Sequence, residues 1–152
     1  MLRTGDQAPD FTLQDQIGQE VSLQGLLAAG PVVLFFYPKA MTSGCTKESC
    51  HFRDLGAEFS ELGAQRVGIS ADKVDKQAAF DAKHGLGYPL LSDPDRKVAA
   101  AFGVKRPGPI FNKRATFVIG TDRTILAAIS SETDMDVHAD DALTILRTGP
   151  VG

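Results

Sequence analysis

Two cysteines, five residues apart, are the side chains of this 152-residue chain best suited to nucleophilic chemistry. An apolar segment, 32–37, is followed by a short loop and then by Cys45. Cys45 lies in the first turn of a predicted amphipathic helix. Unpaired N–H groups and the positive end of the helix dipole favour a thiolate over a thiol at such a position. Because only the thiolate is a strong nucleophile, Cys45 is the predicted reactive residue.

The spacing of the cysteines limits the kind of disulfide that they can form. Five residues along an α-helix separate two Cα atoms by about 8.6 Å. A disulfide requires less than about 7 Å between its Cα atoms. The two thiols can therefore bond only after local unwinding. Cys45 shares the apolar stripe of Phe52 and Phe59, whereas Cys50 falls on the other side, nearer solvent. This asymmetry is expected of a nucleophile and its resolving partner.

The residues around the cysteines resemble those of a known family. The pattern Pro38-x-x-x-Thr42-x-x-Cys45 resembles the signature of peroxiredoxins. Cys50, five residues further on, resembles the second cysteine of the peroxiredoxin Q (bacterioferritin comigratory protein) subfamily. Ser43 stands where many members of this subfamily have proline, which affects the expected stiffness of the loop and leaves the signature intact.

Two further segments extend the resemblance over nearly the whole chain. The segment 114–119, RATFVI, is similar to the strand that carries the family's catalytic arginine, here Arg114. The opening segment 5–13, GDQAPDFTL, also resembles the family's start. Arg106 and Lys113 compete for the arginine's role because they lie close by in sequence, and Arg114 is preferred.

The resemblance implies a thiol-dependent peroxidase that acts on hydrogen peroxide and small organic hydroperoxides without a cofactor. The Cys45 thiolate would attack the O–O bond and become a sulfenic acid. Thr42 and Arg114 would stabilise the developing charge, and Pro38 would shield the thiolate from water. Cys50 would condense with the sulfenic acid, and a dithiol reductant such as thioredoxin or glutaredoxin would then reduce the disulfide.

Two other functions remain open. A non-enzymatic redox switch or binding protein could use the same fold and the same pair of cysteines. A disulfide oxidoreductase is the third possibility, although the chain has no Cys-x-x-Cys motif. Thr42 and Arg114 favour the peroxidase, because a simple switch requires neither.

Four other ionisable residues are candidates for the site. Glu48, one helical turn beyond Cys45, either holds the arginine or complements the helix dipole. His51 either tunes the neighbouring Cys50 or is a solvated helix residue, and the second reading is preferred. His84 and His138 are predicted to lie on the surface. The histidines and cysteines show no spacing typical of a zinc site, so no metal is predicted.

Composition and charge exclude several classes of function. The net charge of −3 gives no basic surface for nucleic acid. No apolar segment is long enough to span a membrane, and the first residues do not resemble a signal peptide. With only two cysteines, we expect a cytoplasmic enzyme in a reducing compartment. We expect one domain over residues 1–152, present as a monomer or weak homodimer.

The order of predicted elements indicates an α/β protein with a thioredoxin-like fold. Its central mixed sheet is flanked by helices, and an N-terminal β-hairpin is added. The strand at 116–119 is expected to run parallel to the strand at 32–36. The predicted strands are 11–13, 21–23, 32–36, 66–70, 90–91, 116–119 and 125–129, and the predicted helices are 26–28, 45–62, 72–83 with Asp72 as cap, 96–102 and 136–146.

The loop 105–113 is the segment predicted to be mobile. It carries an apolar pair, Ile110 and Phe111, among Lys, Arg, Pro and Gly. We predict that this pair lies near the active site and contributes to a surface for reductant docking or self-association. Burial of the pair in the core is the alternative.

Overall fold

The computed structural model describes residues 1–108 and 111–148, which form a seven-stranded mixed sheet with helices on both faces. The predicted α/β class with an added N-terminal hairpin is confirmed. The strands are β1 (Thr12–Gln14), β2 (Glu20–Ser22), β3 (Val32–Phe36), β4 (Gln65–Ser70), β5 (Leu90–Ser92), β6 (Ala115–Ile119) and β7 (Ile125–Ser130), in the sheet order β2-β1-β5-β4-β3-β6-β7. The helices are α1 (Leu23–Leu27), α2 (Ser43–Asp54), α3 (Gly56–Glu61), α4 (Val74–His84), α5 (Lys97–Ala101) and α6 (Val137–Thr148).

The central strand β3 separates two apolar layers. Its side chains alternate between the faces, as they must in an extended strand. Val33 and Phe35 pack in the layer formed with α2, α3, α4 and α6. Val32, Leu34 and Phe36 pack in the layer formed with α1 and α5. Burial on both faces explains why this strand is continuously apolar in sequence.

The direction of β6 differs from the prediction. β3 pairs in parallel with β4 and antiparallel with β6, with Phe36 opposite Ala115. The prediction of a parallel β6 was wrong because an apolar run packs equally well in either direction. β6 and β7 are joined as an antiparallel pair, and β6 adds to the sheet as part of that unit. The antiparallel direction brings the start of β6, with Arg114, beside the end of β3 that leads to Cys45.

The predicted helix 45–62 is two helices, α2 and α3, which meet at Leu55. The Arg66 guanidinium of β4 donates to the carbonyl oxygens of Phe52 at 2.9 Å and of Arg53 at 3.4 Å. These are the acceptors that an uninterrupted helix would use for its next N–H groups. The prediction of one helix to residue 62 was therefore wrong, but α2 runs without a break through both cysteines.

Asp72 does not cap α4, which begins one residue later than predicted with Lys73 at its N-cap. Its carboxylate instead accepts hydrogen bonds from the Ala40 backbone N–H and from the Ser70 hydroxyl, both at 2.7 Å. Asp72 thereby fixes the loop between β3 and α2 to the end of β4.

Within residues 1–108 and 111–148, no helix has both the length and the apolar character needed to cross a membrane.

Candidate active site

The loop between β3 and α2 presents the start of α2 without a side-chain cap. Thr42 is the N-cap residue, but its side chain makes no capping hydrogen bond. The Thr42 hydroxyl donates instead to the Lys39 carbonyl at 2.7 Å. Ser43 occupies the first helical position of α2. Proline is also well tolerated at that position, so serine and proline can replace each other there without a change in the helix start. The first-turn N–H groups thus retain the capacity to bind an anion.

Cys45 and Arg114 meet at this helix start. The Cys45 side chain is fully buried, and Arg114 is 5% exposed. Arg114 Nη2 donates to Cys45 Sγ at 3.3 Å. Because a guanidinium remains charged at any pH at which proteins fold, Arg114 is a permanent cation against this sulfur. The structure therefore brings together the two residues that the sequence pairs across 69 positions.

Glu48 holds Arg114, which resolves the alternative left open by the sequence. Its Oε1 accepts a hydrogen bond from Arg114 Nη1 at 2.6 Å, and the side chain is fully buried. Burial raises the pKa of Glu48 to about 8, although the positive charge of Arg114 acts in the opposite direction. The two terminal nitrogens of one guanidinium thus contact a thiol and a carboxyl group, both on α2.

His138 belongs to this buried site, and the prediction that it lies on the surface was wrong. Its ring is fully buried on α6. Nδ1 lies 2.8 Å from Thr116 Oγ1 and 3.6 Å from Glu48 Oε2, and Nε2 lies 2.9 Å from the Ser131 carbonyl oxygen. Burial lowers the pKa of His138, which keeps its imidazole neutral at neutral pH. A sequence signal existed, because His138 shares a helical face with Ala142 and Ile145.

Gly44 allows the groups around Cys45 to approach closely. A Cβ atom at this position would lie 3.2 Å from Met135 Cε and 3.3 Å from Arg114 Nη2. Either contact is tighter than side chains normally make. The half-buried Met135 therefore forms one wall of the site, a residue that the sequence analysis did not identify.

Cys50 and His51 lie outside the buried site. Both cysteines are free thiols, and Cys50 is half-buried at the margin of the apolar layer. His51 is also half-buried, and its Nε2 lies 2.8 Å from Asp140 Oδ1 of α6. The predicted contrast between an inward and a more exposed thiol agrees with this geometry. Pro38, at the start of the loop, is partly exposed, and His84 is partly exposed at the end of α4.

The residues that compete with Arg114 point elsewhere. Arg106 forms an ion pair with Glu132 at 2.6 Å, and Lys113 is exposed. Phe111 is 54% exposed, which excludes core burial for this residue. Its ring lies beneath Lys39 Nζ, 5.8 Å from the centroid, and so adjoins the active-site loop. Ile110 lies outside the described residues.

Within residues 1–108 and 111–148, no group of three or more His, Cys, Asp or Glu side chains is placed so that it could hold a metal ion.

Comparisons with known proteins identify the family to which this chain belongs. Residues 4–128 match the family described as the AhpC/TSA family. A putative peroxiredoxin of Mycobacterium tuberculosis is 59% identical over 149 residues, which cover 96% of this chain and 97% of the relative. The crystal structure of the peroxidoxin BcpB from Mycobacterium tuberculosis superposes with a TM-score of 0.95 at 58% identity, over 97% of this chain and 98% of that chain.

A more distant solved structure is the bacterioferritin comigratory protein of Xanthomonas campestris, which was studied for its alkyl peroxide reduction activity. It superposes with a TM-score of 0.84 at 30% identity, over 91% of this chain and 90% of that chain. The resemblance seen in the residues around Cys45 thus extends to the whole fold. The chain belongs to the AhpC/TSA family and is a peroxiredoxin, a thiol-dependent peroxidase.

Proposed function

We propose that Cys45 is the peroxidatic cysteine and that Cys50 resolves the oxidised enzyme within the same helix. The observation that carries this proposal is the Arg114 guanidinium, which bridges Glu48 Oε1 and Cys45 Sγ in a buried site. A buried thiol with a permanent cation and an uncapped helix start beside it meets the requirements for a reactive thiolate.

In the first step the Cys45 thiolate attacks one oxygen of the peroxide. The S–O bond forms as the O–O bond breaks, and Cys45 becomes a sulfenic acid. The departing oxygen carries the negative charge and leaves as water or an alcohol after taking a proton. Arg114 and the first-turn N–H groups stabilise this charge as it develops.

Thr42, Glu48 and Pro38 support this step. The Thr42 hydroxyl, which donates to the Lys39 carbonyl, can turn towards a peroxide oxygen bound at Cys45. Glu48 keeps the Arg114 fork directed at the sulfur. Pro38 limits access of bulk water to the thiolate from the loop side.

In the second step the Cys50 thiol attacks the sulfenic sulfur, which forms the disulfide and releases water. Because both cysteines lie on the continuous helix α2, this step requires local unwinding. Unwinding must break the Glu48–Arg114 contact and the hydrogen bond of 2.7 Å from the Tyr88 hydroxyl to the Ser49 carbonyl. A dithiol reductant of the thioredoxin or glutaredoxin type then reduces the disulfide by thiol exchange.

Hydrogen peroxide and small organic hydroperoxides are the proposed substrates. The alkyl peroxide reduction studied in the Xanthomonas relative supports the second class, as does the apolar Met135 beside Gly44. We further propose that residues 1–152 act as one cytoplasmic domain without a cofactor, as a monomer or weak homodimer.

Peroxide consumption coupled to a thioredoxin system tests the proposal. The wild type should turn over many equivalents, Cys45→Ser should consume none, and Cys50→Ser should consume one equivalent and then stall. In Cys50→Ser, excess peroxide should convert Cys45 to the sulfinic acid. Peroxide turnover by Cys45→Ser would overturn the assignment. Disulfide formation in the wild type without turnover would favour a redox switch instead.

A further inference from the structure

The tautomer of His138 is fixed by its surroundings. Nε2 lies 2.9 Å from the Ser131 carbonyl oxygen, which can only accept a hydrogen bond. Nε2 therefore carries the ring hydrogen. In the neutral imidazole Nδ1 is then an acceptor with one lone pair, which the Thr116 hydroxyl at 2.8 Å and a protonated Glu48 Oε2 would share.

Glu48 Oε2 faces this acceptor. The oxygen is buried and has no hydrogen-bond partner within the described residues, while Oε1 is bound by Arg114. It lies 3.6 Å from His138 Nδ1, a gap that a small rotation of the carboxyl group would close. An ionised Glu48 would leave two acceptors face to face in a buried site, which is costly. One proton between the two atoms removes this conflict.

We propose that Glu48 and His138 share one proton in the reduced enzyme and that His138 is thereby a positioning residue for Arg114. With the proton on Glu48, Oε1 still accepts the hydrogen bond from Arg114 but does not cancel its charge. The guanidinium then remains a full cation for the Cys45 sulfur. This inference rests on the proposed roles of Cys45 and Arg114.

Burial and the neighbouring charges act in different directions on the pKa values of the two groups. Burial raises the pKa of Glu48 to about 8, and burial lowers the pKa of His138. Arg114 lowers the pKa of both groups, and Glu132 raises the pKa of both. Asp134 raises the pKa of His138. Cys45 is linked to the pair through Arg114, which donates to both the Cys45 sulfur and Glu48.

The test is a pH titration of the reduced full-length enzyme by carbon-13 NMR of labelled glutamate carboxyl groups, with Glu48→Gln to assign the signal. The Glu48 carboxyl should titrate near pH 8, far above exposed glutamates. His138→Ala removes the acceptor and admits water, and should lower this midpoint by about one unit or more. His138→Asn places an amide near Nδ1 and should keep most of the shift. The control His84→Ala should leave it unchanged.

A second readout follows Cys45 directly. The rate constant for its oxidation by hydrogen peroxide should fall by about tenfold as the pH passes 8, because ionised Glu48 offsets the charge of Arg114. This fall should be absent in Glu48→Gln.

The outcomes separate the inference from the proposed function. Ordinary titration of Glu48 in the wild type, or an unchanged midpoint in His138→Ala, would overturn the shared proton. If His138→Ala does not fold, the Glu48 titrations of the wild type and of His138→Asn still test the shared proton. Peroxide consumption by Cys45→Ser would overturn the proposed function without affecting the NMR result.

Discussion

Cys45 and Cys50 share one helix but lie in different surroundings. Cys45 is fully buried in the first turn of α2, where Arg114 donates to its sulfur at 3.3 Å. Cys50 is half-buried further along α2, at the margin of the apolar layer. The helix dipole, the cation and exclusion of water therefore act together on only one of the two thiols.

This difference teaches how a short segment can carry two chemical roles. The features that activate Cys45 also bury it, so a partner thiol cannot reach it while α2 is intact. The position that leaves Cys50 more accessible removes it from the helix start and from Arg114. Catalysis with both thiols therefore depends on a helix that is stable in the reduced enzyme and able to unwind after oxidation.

The largest expected effect comes from removing the cation that distinguishes Cys45. Arg114→Met should slow oxidation of Cys45 by about a hundredfold or more, because one preorganised donor to the developing charge is lost. Stopped-flow kinetics with hydrogen peroxide measure this rate. Arg106→Met is the matched control and should change the rate little, since Arg106 pairs with Glu132. The reverse result, a normal rate in Arg114→Met and a slow one in Arg106→Met, would exchange the two assignments.

Thr42 should have a smaller effect on the same rate. Thr42→Val keeps the shape of the side chain but removes the hydroxyl, which donates to the Lys39 carbonyl in the reduced enzyme. Because this hydroxyl is proposed to turn towards the peroxide oxygen, oxidation of Cys45 should slow by about tenfold. Thr42→Ser retains the hydroxyl and should keep most of the wild-type rate. Equal rates in the two variants would show that the hydroxyl takes no part.

Glu48 should also give the fold a pH dependence. The folded protein keeps the proton on Glu48 up to about pH 8, whereas the unfolded chain releases it at the ordinary carboxyl pKa. The free energy of unfolding should therefore fall as the pH rises from 6.5 to 8. Over the whole range from the ordinary carboxyl pKa to about pH 8, the fall should total a few kcal/mol. Urea unfolding at several pH values measures it.

The window above pH 6.5 isolates this contribution, because the lowered pKa of His138 adds a slope only below its ordinary value. Glu48→Gln should remove the fall, and Glu61→Gln, at an exposed position, should retain it. A wild type whose stability rises across this window would contradict the buried, protonated Glu48.

The smallest effect is expected at Phe111. Its exposed ring beside Lys39 adjoins the active-site loop, so Phe111→Ser should raise the KM for the dithiol reductant by a few-fold, with peroxide kinetics unchanged. Ile17→Ser removes a similarly exposed apolar side chain from the turn between β1 and β2 and serves as control. If both variants leave the reductant KM and the sedimentation behaviour unchanged, Phe111 has no role in binding.

Local sequence patterns predicted much of the fold and of the site. The limits of β3 follow from its apolar run, and the position of Cys45 in the first turn of α2 follows from the loop before it. Such patterns cannot specify what an element pairs with. The apolar segment of β6 fits either strand direction, and the antiparallel one became evident only from its pairing with β3.

The other errors have the same origin in distant contacts. α2 ends at Asp54 where Arg66, from β4, binds the carbonyl of Phe52. The burial of His138 depends on how α6 packs against β6, where Thr116 meets its ring. The sequence shows neither partner as a neighbour, although the position of His138 on an apolar face gave a signal that could have been used.

The most direct test of the two-thiol account is amide hydrogen exchange of the wild type in the reduced and disulfide states. Reduced enzyme should protect the amides of α2 through both cysteines, as the continuous helix requires. In the disulfide state, protection around residues 45–51 should be lost, since Cα atoms about 8.6 Å apart must approach to within about 7 Å. Full protection of α2 in an enzyme with a Cys45–Cys50 disulfide would contradict the account.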